Sequence, residues 1–160
     1  MTIPVSKNIE LIPIDKDNAA RLFPLFRADL KEISRWFPFD ESYQLEYDLA
    51  YVDEKEPPYD ETFVIFYNGE PCGRIGLYDY NAEKREIYLY YWVASAYRRK
   101  HIALDSISAV LSYLKTLGIG TVLFDVKKEN ENSVALIRHF PGIVAAETGP
   151  AYVIYAYALL

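Results

Sequence analysis

The sequence EIYLYYWV at residues 86–93, followed by ASAY at 94–97 and RRKHIA at 98–103, decides the fold. Eight residues rich in aromatic and β-branched types predict a strand at 86–93. Beyond the basic residues, a helix ending near Leu117 is predicted by apolar residues at helical spacing, namely Ile102, Leu104, Ile107, Val110, Leu111 and Leu114. A short basic loop therefore connects the strand to the helix.

This basic loop is suited to an anionic ligand. The first backbone N–H groups of a helix have no partners inside the helix and lie at the positive end of its dipole, where phosphate binds well. Arg98, Arg99 and Lys100 crowd the junction in a chain whose net charge is -6. An anion site is the first hypothesis, and a solvated basic turn is the alternative.

The composition indicates one globular domain over residues 1–160. A hydrophobic share of 51% with 25% charged residues is ordinary for such proteins. No apolar run approaches the ~20 residues of a membrane span, and the N-terminal residues MTIPVSK lack a signal-peptide core. We therefore expect a cytoplasmic protein without a membrane partner. The single cysteine, Cys72, cannot form an internal disulfide, which agrees with a reducing compartment.

Charge is distributed unevenly along the chain. Residues 1–90 hold 10 Lys/Arg and 18 Asp/Glu, a net charge of -8, whereas residues 91–160 hold 7 and 5, a net charge of +2. The acidic half argues against nucleic acid as a partner. It favours an anionic ligand in the second half and a cationic one near the first. Residues 40–61 contain nine acidic residues and one lysine. They could attract the cationic ligand, and the alternative is that they form a solvated helix face.

The periodicities predict a mixed α/β (α+β) fold. Strands are predicted at 9–14, 62–67, 71–80, 86–93, 121–126, 143–147 and 151–159, with Asn68 and Gly69 forming a hairpin turn. Helices are predicted from Asp15 or Asp17 to 26 or 33 with a kink or break at Pro24, at 41–54 and 102–117, and from Asn130 or Asn132 to 140. The result is a mostly antiparallel seven-stranded sheet flanked by about four helices, with one right-handed parallel crossover between strands 86–93 and 121–126.

This element order, with a basic loop between strand 86–93 and the following helix, resembles the GNAT superfamily of acyl-CoA N-acetyltransferases. The segments YWV at 91–93, YRRKHIA at 97–103 and NENS at 130–133 are similar to its ribosomal-protein N-terminal acetyltransferase (RimJ/RimL-like) branch. The segment WFPF at 36–39, followed by an acidic helix, supports the same branch. The resemblance implies acetyl-CoA as acyl donor and no metal.

The resemblance also implies which residues hold the donor. The family's loop pattern is Gln or Arg, two residues, Gly, one residue, then Gly or Ala, and its backbone amides wrap the pyrophosphate of coenzyme A. Arg98 and Ala103 match this pattern, and His101 stands at the usual glycine. Either the loop closes with the imidazole turned outward, or the site is looser or altered. The cofactor-binding residues implied are Trp92, Val93, Arg98, Arg99, Lys100, His101, Ile102, Ala103 and Asn130, where Trp92 and Val93 pair with the pantetheine amides.

The catalytic residues are the next expectation. Alternation places Glu86, Tyr88, Tyr90 and Trp92 on one face of the strand. Glu86 is the candidate base, with a simple surface charge as the alternative, and Tyr88 is a candidate orienting group. Where many members of the family carry a tyrosine as acid for the departing thiolate, this chain has Ile137. Some relatives use a serine here, so the resemblance makes Ser133 the candidate acid, with a helix-capping hydroxyl as the alternative.

The predicted function is N-acetyl transfer from acetyl-CoA to a primary amine by direct attack in a ternary complex. The acceptor is a protein N-terminus or a small cationic amine. The main alternative is a catalytically silent GNAT-like domain that binds acyl-CoA or regulates, and a weaker one is a structural interaction module. The sequence leaves open the acceptor's identity, the acyl chain and whether two copies form a homodimer.

Overall fold

One sheet of eight strands organises the protein, as a computed structural model describing residues 1–159 shows. The strands are β1 (Ile3–Pro4), β2 (Ile9–Pro13), β3 (Glu61–Tyr67), β4 (Glu70–Asn81), β5 (Glu86–Val93), β6 (Thr121–Lys127), β7 (Val144–Thr148) and β8 (Tyr152–Ala158). Their order across the sheet is β1-β2-β3-β4-β5-β6-β8-β7. Neighbouring strands run antiparallel except β5 and β6, which are parallel. The predicted fold class and the parallel crossover are confirmed.

Helices cover both faces of this sheet. They are α1 (Lys16–Ala28), α2 (Leu30–Trp36), α3 (Leu45–Glu54), α4 (Ile102–Thr116) and α5 (Glu131–Ile137), and a short 3-10 helix, Ser95–Tyr97, follows β5. The α4 and α5 side chains pack on one face, together with the inward residues of β5 such as Ile87 and Leu89. The α1 and α2 side chains pack on the other face, where Trp92 joins them. The alternation predicted for strand 86–93 is therefore what separates the two cores.

The first predicted helix is divided in two. Asp15 is its N-cap, and its carboxylate accepts a hydrogen bond from the Asn18 N–H while the Asn18 side chain accepts one from the Asp15 N–H. The helix continues through Pro24 and ends at Asp29 instead. The carboxylate of Asp29 lies near Ser95, accepting hydrogen bonds from its N–H at 2.9 Å and its hydroxyl at 3.0 Å. A contact across the fold, rather than the proline, marks the break.

Other differences from the sequence prediction lie at element ends. The sheet has eight strands instead of seven because the two residues of β1, too few to show a periodicity, pair with β2. The second predicted helix begins at Leu45, after a turn in which Asp40 accepts a hydrogen bond from the Ser42 N–H. The last predicted helix ends at Ile137. Within residues 1–159, no helix has the length and apolar character needed to cross a membrane.

Candidate functional site

A cleft opens where the two parallel strands separate. Residues Glu86, Ile87 and Tyr88 of β5 pair with residues 121–123 of β6, and the recorded pairing ends there. Beyond this point β5 continues to pair with β4, while β6 continues to pair with β8 along its whole length. Each strand therefore keeps one neighbour and parts from the other.

The cleft connects the two faces of the sheet. On the α4 and α5 side it is bounded by Tyr91 and Ser133, and on the α1 and α2 side by Phe37, Tyr90 and Asp125. Its lining consists of Trp36, Phe37, Leu89, Tyr90, Tyr91, Phe124, Asp125, Val126, Lys127, Asn130, Ser133 and Ile137. Two reactants approaching from opposite faces could meet in such an opening.

The backbone of β5 offers free hydrogen-bonding groups to this cleft. The Ala94 N–H donates to the Cys72 carbonyl at 2.8 Å, so Ala94 faces β4. Because successive residues of a strand turn their amides to opposite sides, Trp92 also faces β4, while the amides of Tyr91 and Val93, beyond the last pair with β6, face the cleft. Trp92 therefore contributes its ring, 5% exposed and edge-on to Phe26, and not its amide. Pairing of Trp92 and Val93 with the pantetheine amides stays a prediction, and the direction of these amides favours Val93.

The basic loop has an unusual run of unpaired amides. Among the residues that the structure describes, the N–H groups of six consecutive residues, 99–104, have no recorded hydrogen-bond acceptor. Lys100, His101, Ile102 and Ala103 lie in this run, at the start of α4. Six donors at the positive end of a helix dipole can surround an anion.

Two residues of the loop adopt a conformation that normally favours glycine. Arg99 has a φ of 65° and His101 a φ of 58°. His101 is the N-cap residue of α4, makes no side-chain capping bond, and is exposed. The imidazole is thus turned outward, as in the first of the two predicted arrangements. The left-handed backbone explains why glycine suits this position.

The Arg98 side chain pairs with acidic residues of the neighbouring helices. Its guanidinium lies 2.9 Å from the Glu32 carboxylate and 3.9 Å from that of Asp29, and its Nε donates to the Val93 carbonyl at 3.3 Å. It therefore bridges the α1–α2 break to the end of β5. The exposed side chains of Arg99 and Lys100 carry the loop's other positive charges.

The hydroxyls on the α5 side form a pair that the sequence did not suggest. The Tyr91 and Ser133 hydroxyls are 2.6 Å apart, and burial raises the pKa of Tyr91 to about 12. The Asn130 side chain accepts a hydrogen bond from the Ser133 N–H at 3.3 Å and so caps α5. Ile137 is fully buried against this site. Ser133 thus lies in the cleft with a tyrosine hydroxyl beside it, although on a strand instead of the helix.

The predicted base and orienting residue lie below the opening. Glu86 pairs with Thr121 at the start of β5, and it is not among the lining residues. Tyr88 forms the last pair before the strands part, and its ring stacks on Tyr78 with centroids 5.3 Å apart. Burial, followed by the nearby charge of Asp125, raises the pKa of Tyr88. Neither residue is part of the lining of the cleft.

Asp125 is the acidic residue that the sequence analysis missed. It lines the cleft at the level of Tyr90, and burial followed by the charge of Glu147 raises its pKa. The sequence predicts a strand at 121–126 and assigns no role to its one acidic residue. The sequence does contain a signal for this residue. Val122, Phe124 and Val126 alternate along the strand and share one face, so the charged Asp125 between them lies on the other face of the sheet.

The comparison with known families agrees with this geometry. Residues 8–140 match the acetyltransferase (GNAT) domain. The chain belongs to the GNAT acetyltransferase family. The predicted family is thereby confirmed, and the free amides of residues 99–104 lie within the matched segment. No curated protein sequence gives a significant match.

Solved structures of acetyltransferases share the fold. The ribosomal L7/L12 alpha-N-protein acetyltransferase RimL in complex with coenzyme A has a TM-score of 0.83 at 20% identity, covering 99% of this chain and 97% of that one. The microcin C7 self-immunity acetyltransferase MccE, in complex with acetyl-CoA and AMP, has 0.83 at 14% identity, covering 96% and 94%. Mycobacterium smegmatis RimJ in complex with CoA-disulfide has 0.75 at 20% identity, covering 94% and 81%. At these identities the likeness is one of fold.

Proposed function

We propose that this GNAT enzyme transfers the acetyl group of acetyl-CoA to a primary amine by direct attack in a ternary complex. The acceptor is a protein N-terminus or a small cationic amine. The single observation that carries the proposal is the run of six free N–H groups at residues 99–104, next to the cleft between β5 and β6. A diphosphate at the loop would extend its attached chain along the free edge of β5.

Residues on the two faces of the sheet bind different substrates. The amides of residues 99–104 hold the diphosphate, with Arg99 and Lys100 adding positive charge. The N–H groups of Tyr91 and Val93 face the cleft and bind the amides of the pantetheine arm. Acetyl-CoA supplies an activated thioester when bound. The amine therefore approaches from the α1 and α2 face, past Phe37 and Tyr90.

The hydroxyl pair is suited to protonating the departing thiolate. Tyr91 and Ser133 are hydrogen-bonded to each other, so a proton given up by one hydroxyl can be replaced through the other. The Tyr91 hydroxyl is protonated at neutral pH, as in any tyrosine, and burial raises its pKa further, to about 12. Ser133 thus keeps its predicted role as acid, now with Tyr91 as partner, while Asn130 positions it by capping α5.

Thermal unfolding with and without acetyl-CoA tests the binding step. A ligand present at a hundredfold over its Kd stabilises the native state by about 2.7 kcal/mol. For a chain of this length we expect a rise in Tm of roughly 5–11 °C. Desulfo-CoA of the same charge serves as a control for thioester chemistry and should give a similar rise. An unchanged Tm would refute the proposed site.

Release of free CoA thiol in the presence of amines tests turnover. Cys72 is fully buried, and burial raises the pKa of its thiol to about 12, so the folded enzyme gives little background with a thiol reagent. Thiol release with n-butylamine, spermidine or a peptide bearing a free amino terminus supports the enzyme. A rise in Tm without release from any of them would indicate the silent acyl-CoA-binding domain instead.

A further inference from the structure

One carboxylate lies at the level where the strands part. Tyr88 and Leu123 form the last recorded pair of β5 and β6. Two residues further on, Tyr90 and Asp125 therefore stand at equal levels on either side of the opening and on the same face of the sheet. Both line the cleft, and Asp125 is the acidic side chain among the lining residues.

The position of Asp125 is fixed by the sheet on its other side. It pairs with Ile154 in the register that joins β6 to β8 along seven residues. The same face of the cleft carries the aromatic residues Phe37 and Tyr90, whose ring centroids are 5.9 Å apart. A strand-borne carboxylate opposite an aromatic wall can meet an amine that enters from this face.

The surroundings leave the carboxylate of Asp125 available. No hydrogen bond or ion pair to it is recorded within residues 1–159. The titratable and charged groups facing it are Glu147 on β7, Tyr152 on β8, Tyr88 on β5, Tyr78 on β4 and, on its own strand, Lys127. Burial and Glu147 raise its pKa, which makes it a stronger base than an ordinary aspartate.

We propose that Asp125, in place of Glu86, is the catalytic base that takes the proton from the acceptor amine. The inference rests on the proposed function and assigns a role that the family match leaves open. The position of Glu86 argues against it, because it lies two residues before the last strand pair and outside the lining of the cleft.

The step balances without a further reactant. The lone pair of the neutral amine forms a C–N bond with the thioester carbonyl carbon, and the carbonyl electron pair moves to oxygen. The nitrogen becomes acidic and gives its proton to the Asp125 carboxylate. The oxyanion then restores the C=O bond as the C–S bond breaks, and the thiolate takes a proton from the Tyr91 and Ser133 hydroxyls. Solvent carries the proton from Asp125 back to these hydroxyls, leaving an amide and a free thiol.

The test compares three carboxyl-to-amide variants of the full chain. Asp125→Asn removes the proposed base, Glu86→Gln removes the rival, and Glu83→Gln in the exposed turn before β5 is the control. Each is assayed with acetyl-CoA and whichever of n-butylamine, spermidine and the free-amino peptide the wild type acetylates best. We expect Asp125→Asn to lower kcat by about a hundredfold or more, while the rise in Tm caused by acetyl-CoA stays unchanged.

A pH profile separates catalysis from a structural role. The kcat of the wild type should fall as pH drops through the pKa of Asp125, because the protonated carboxyl accepts no proton. Glu147→Gln removes a neighbouring negative charge, so it should lower the pKa of Asp125 and move this decline to lower pH. Asp125→Asn should remove the decline. If Asp125→Asn is too unstable to assay, the pH profile of Glu147→Gln alone tests whether Asp125 is the base.

The outcomes distinguish this inference from the proposed function. Equal kcat values for Asp125→Asn and Glu83→Gln would overturn the role of Asp125. So would a fall in kcat at low pH that Glu147→Gln does not shift. Neither result would contradict the proposed acetyltransferase activity. Loss of kcat in Glu86→Gln with retention in Asp125→Asn would return the role to Glu86. A wild type that binds acetyl-CoA and acetylates none of the three amines would refute the proposed function itself.

Discussion

Replacing Asp48 by Asn should destabilise the protein more than any exposed charge substitution. Asp48 on α3 accepts hydrogen bonds from Arg74 at 3.1 and 3.2 Å and from the Tyr43 hydroxyl at 2.5 Å. The side chains of Asp48 and Arg74 are 3% and 4% exposed, and the Arg74 guanidinium lies 4.1 Å from the centroid of the Phe26 ring. The substitution leaves the buried charge of Arg74 without its counter-ion.

Removal of one partner of such a buried pair costs about 3–5 kcal/mol. For a chain of this length that corresponds to a fall in Tm of roughly 6–20 °C. The matched control is Asp53→Asn, because Asp53 pairs with Lys16 at 3.2 Å with both side chains more than half exposed. Exposed pairs contribute about 0–1 kcal/mol.

Urea unfolding followed by circular dichroism measures both variants. A double variant, Asp48→Leu with Arg74→Met, removes both charges and should recover part of the loss, since the cost arises from the unpaired cation. The reasoning would be refuted if Asp48→Asn lowered the free energy of unfolding by no more than Asp53→Asn. It would equally fail if the double variant were less stable than Asp48→Asn.

Substitutions at three further positions test the loop and the cleft. His101→Gly should keep the free energy of unfolding within about 1 kcal/mol of wild type and retain acetyl-CoA binding. His101→Val puts a β-branched residue at a positive φ, so it should lower both the free energy of unfolding and the affinity for acetyl-CoA. Denaturant unfolding and ligand titration measure the two effects. Gly76→Ala should cost about 1–3 kcal/mol because a Cβ there would overlap the Tyr90 ring, and less than this in a Tyr90→Ala background. Arg98→Glu should abolish the rise in Tm with acetyl-CoA, because it places a third carboxylate beside those of Asp29 and Glu32, next to the loop that holds the diphosphate; a rise equal to that of the wild type would contradict this.

The strand at β5 and the basic loop after it could be predicted because local patterns determine them. Alternation of apolar residues fixed the faces of β5, and the helical spacing after His101 fixed the start of α4. The break at Asp29 could not be predicted, since its carboxylate contacts Ser95, 66 residues away. Local propensity pointed to Pro24, which α1 tolerates.

Local patterns also explain which parts of the candidate site could be predicted. Ser133, Asn130 and the loop residues lie where sequence motifs placed them relative to their own elements. The hydroxyl pair of Tyr91 with Ser133 joins residues 42 positions apart and depends on how α5 packs against β5. Residues this far apart in sequence leave no periodic signal, so a contact between a tyrosine on a strand and a serine on a helix cannot be predicted from local patterns.

The separation of β5 from β6 accounts for both halves of the proposed site. Beyond Tyr88, β5 stays bonded to β4 and β6 to β8, so each strand has one satisfied edge and one edge facing the cleft. Buried backbone amides without partners are costly, and a ligand that carries amide groups can satisfy them. The same divergence leaves Asp125 and Tyr90 facing each other across a gap instead of a strand pair. A carboxylate in that gap can accept a proton from a substrate because the sheet no longer closes over it.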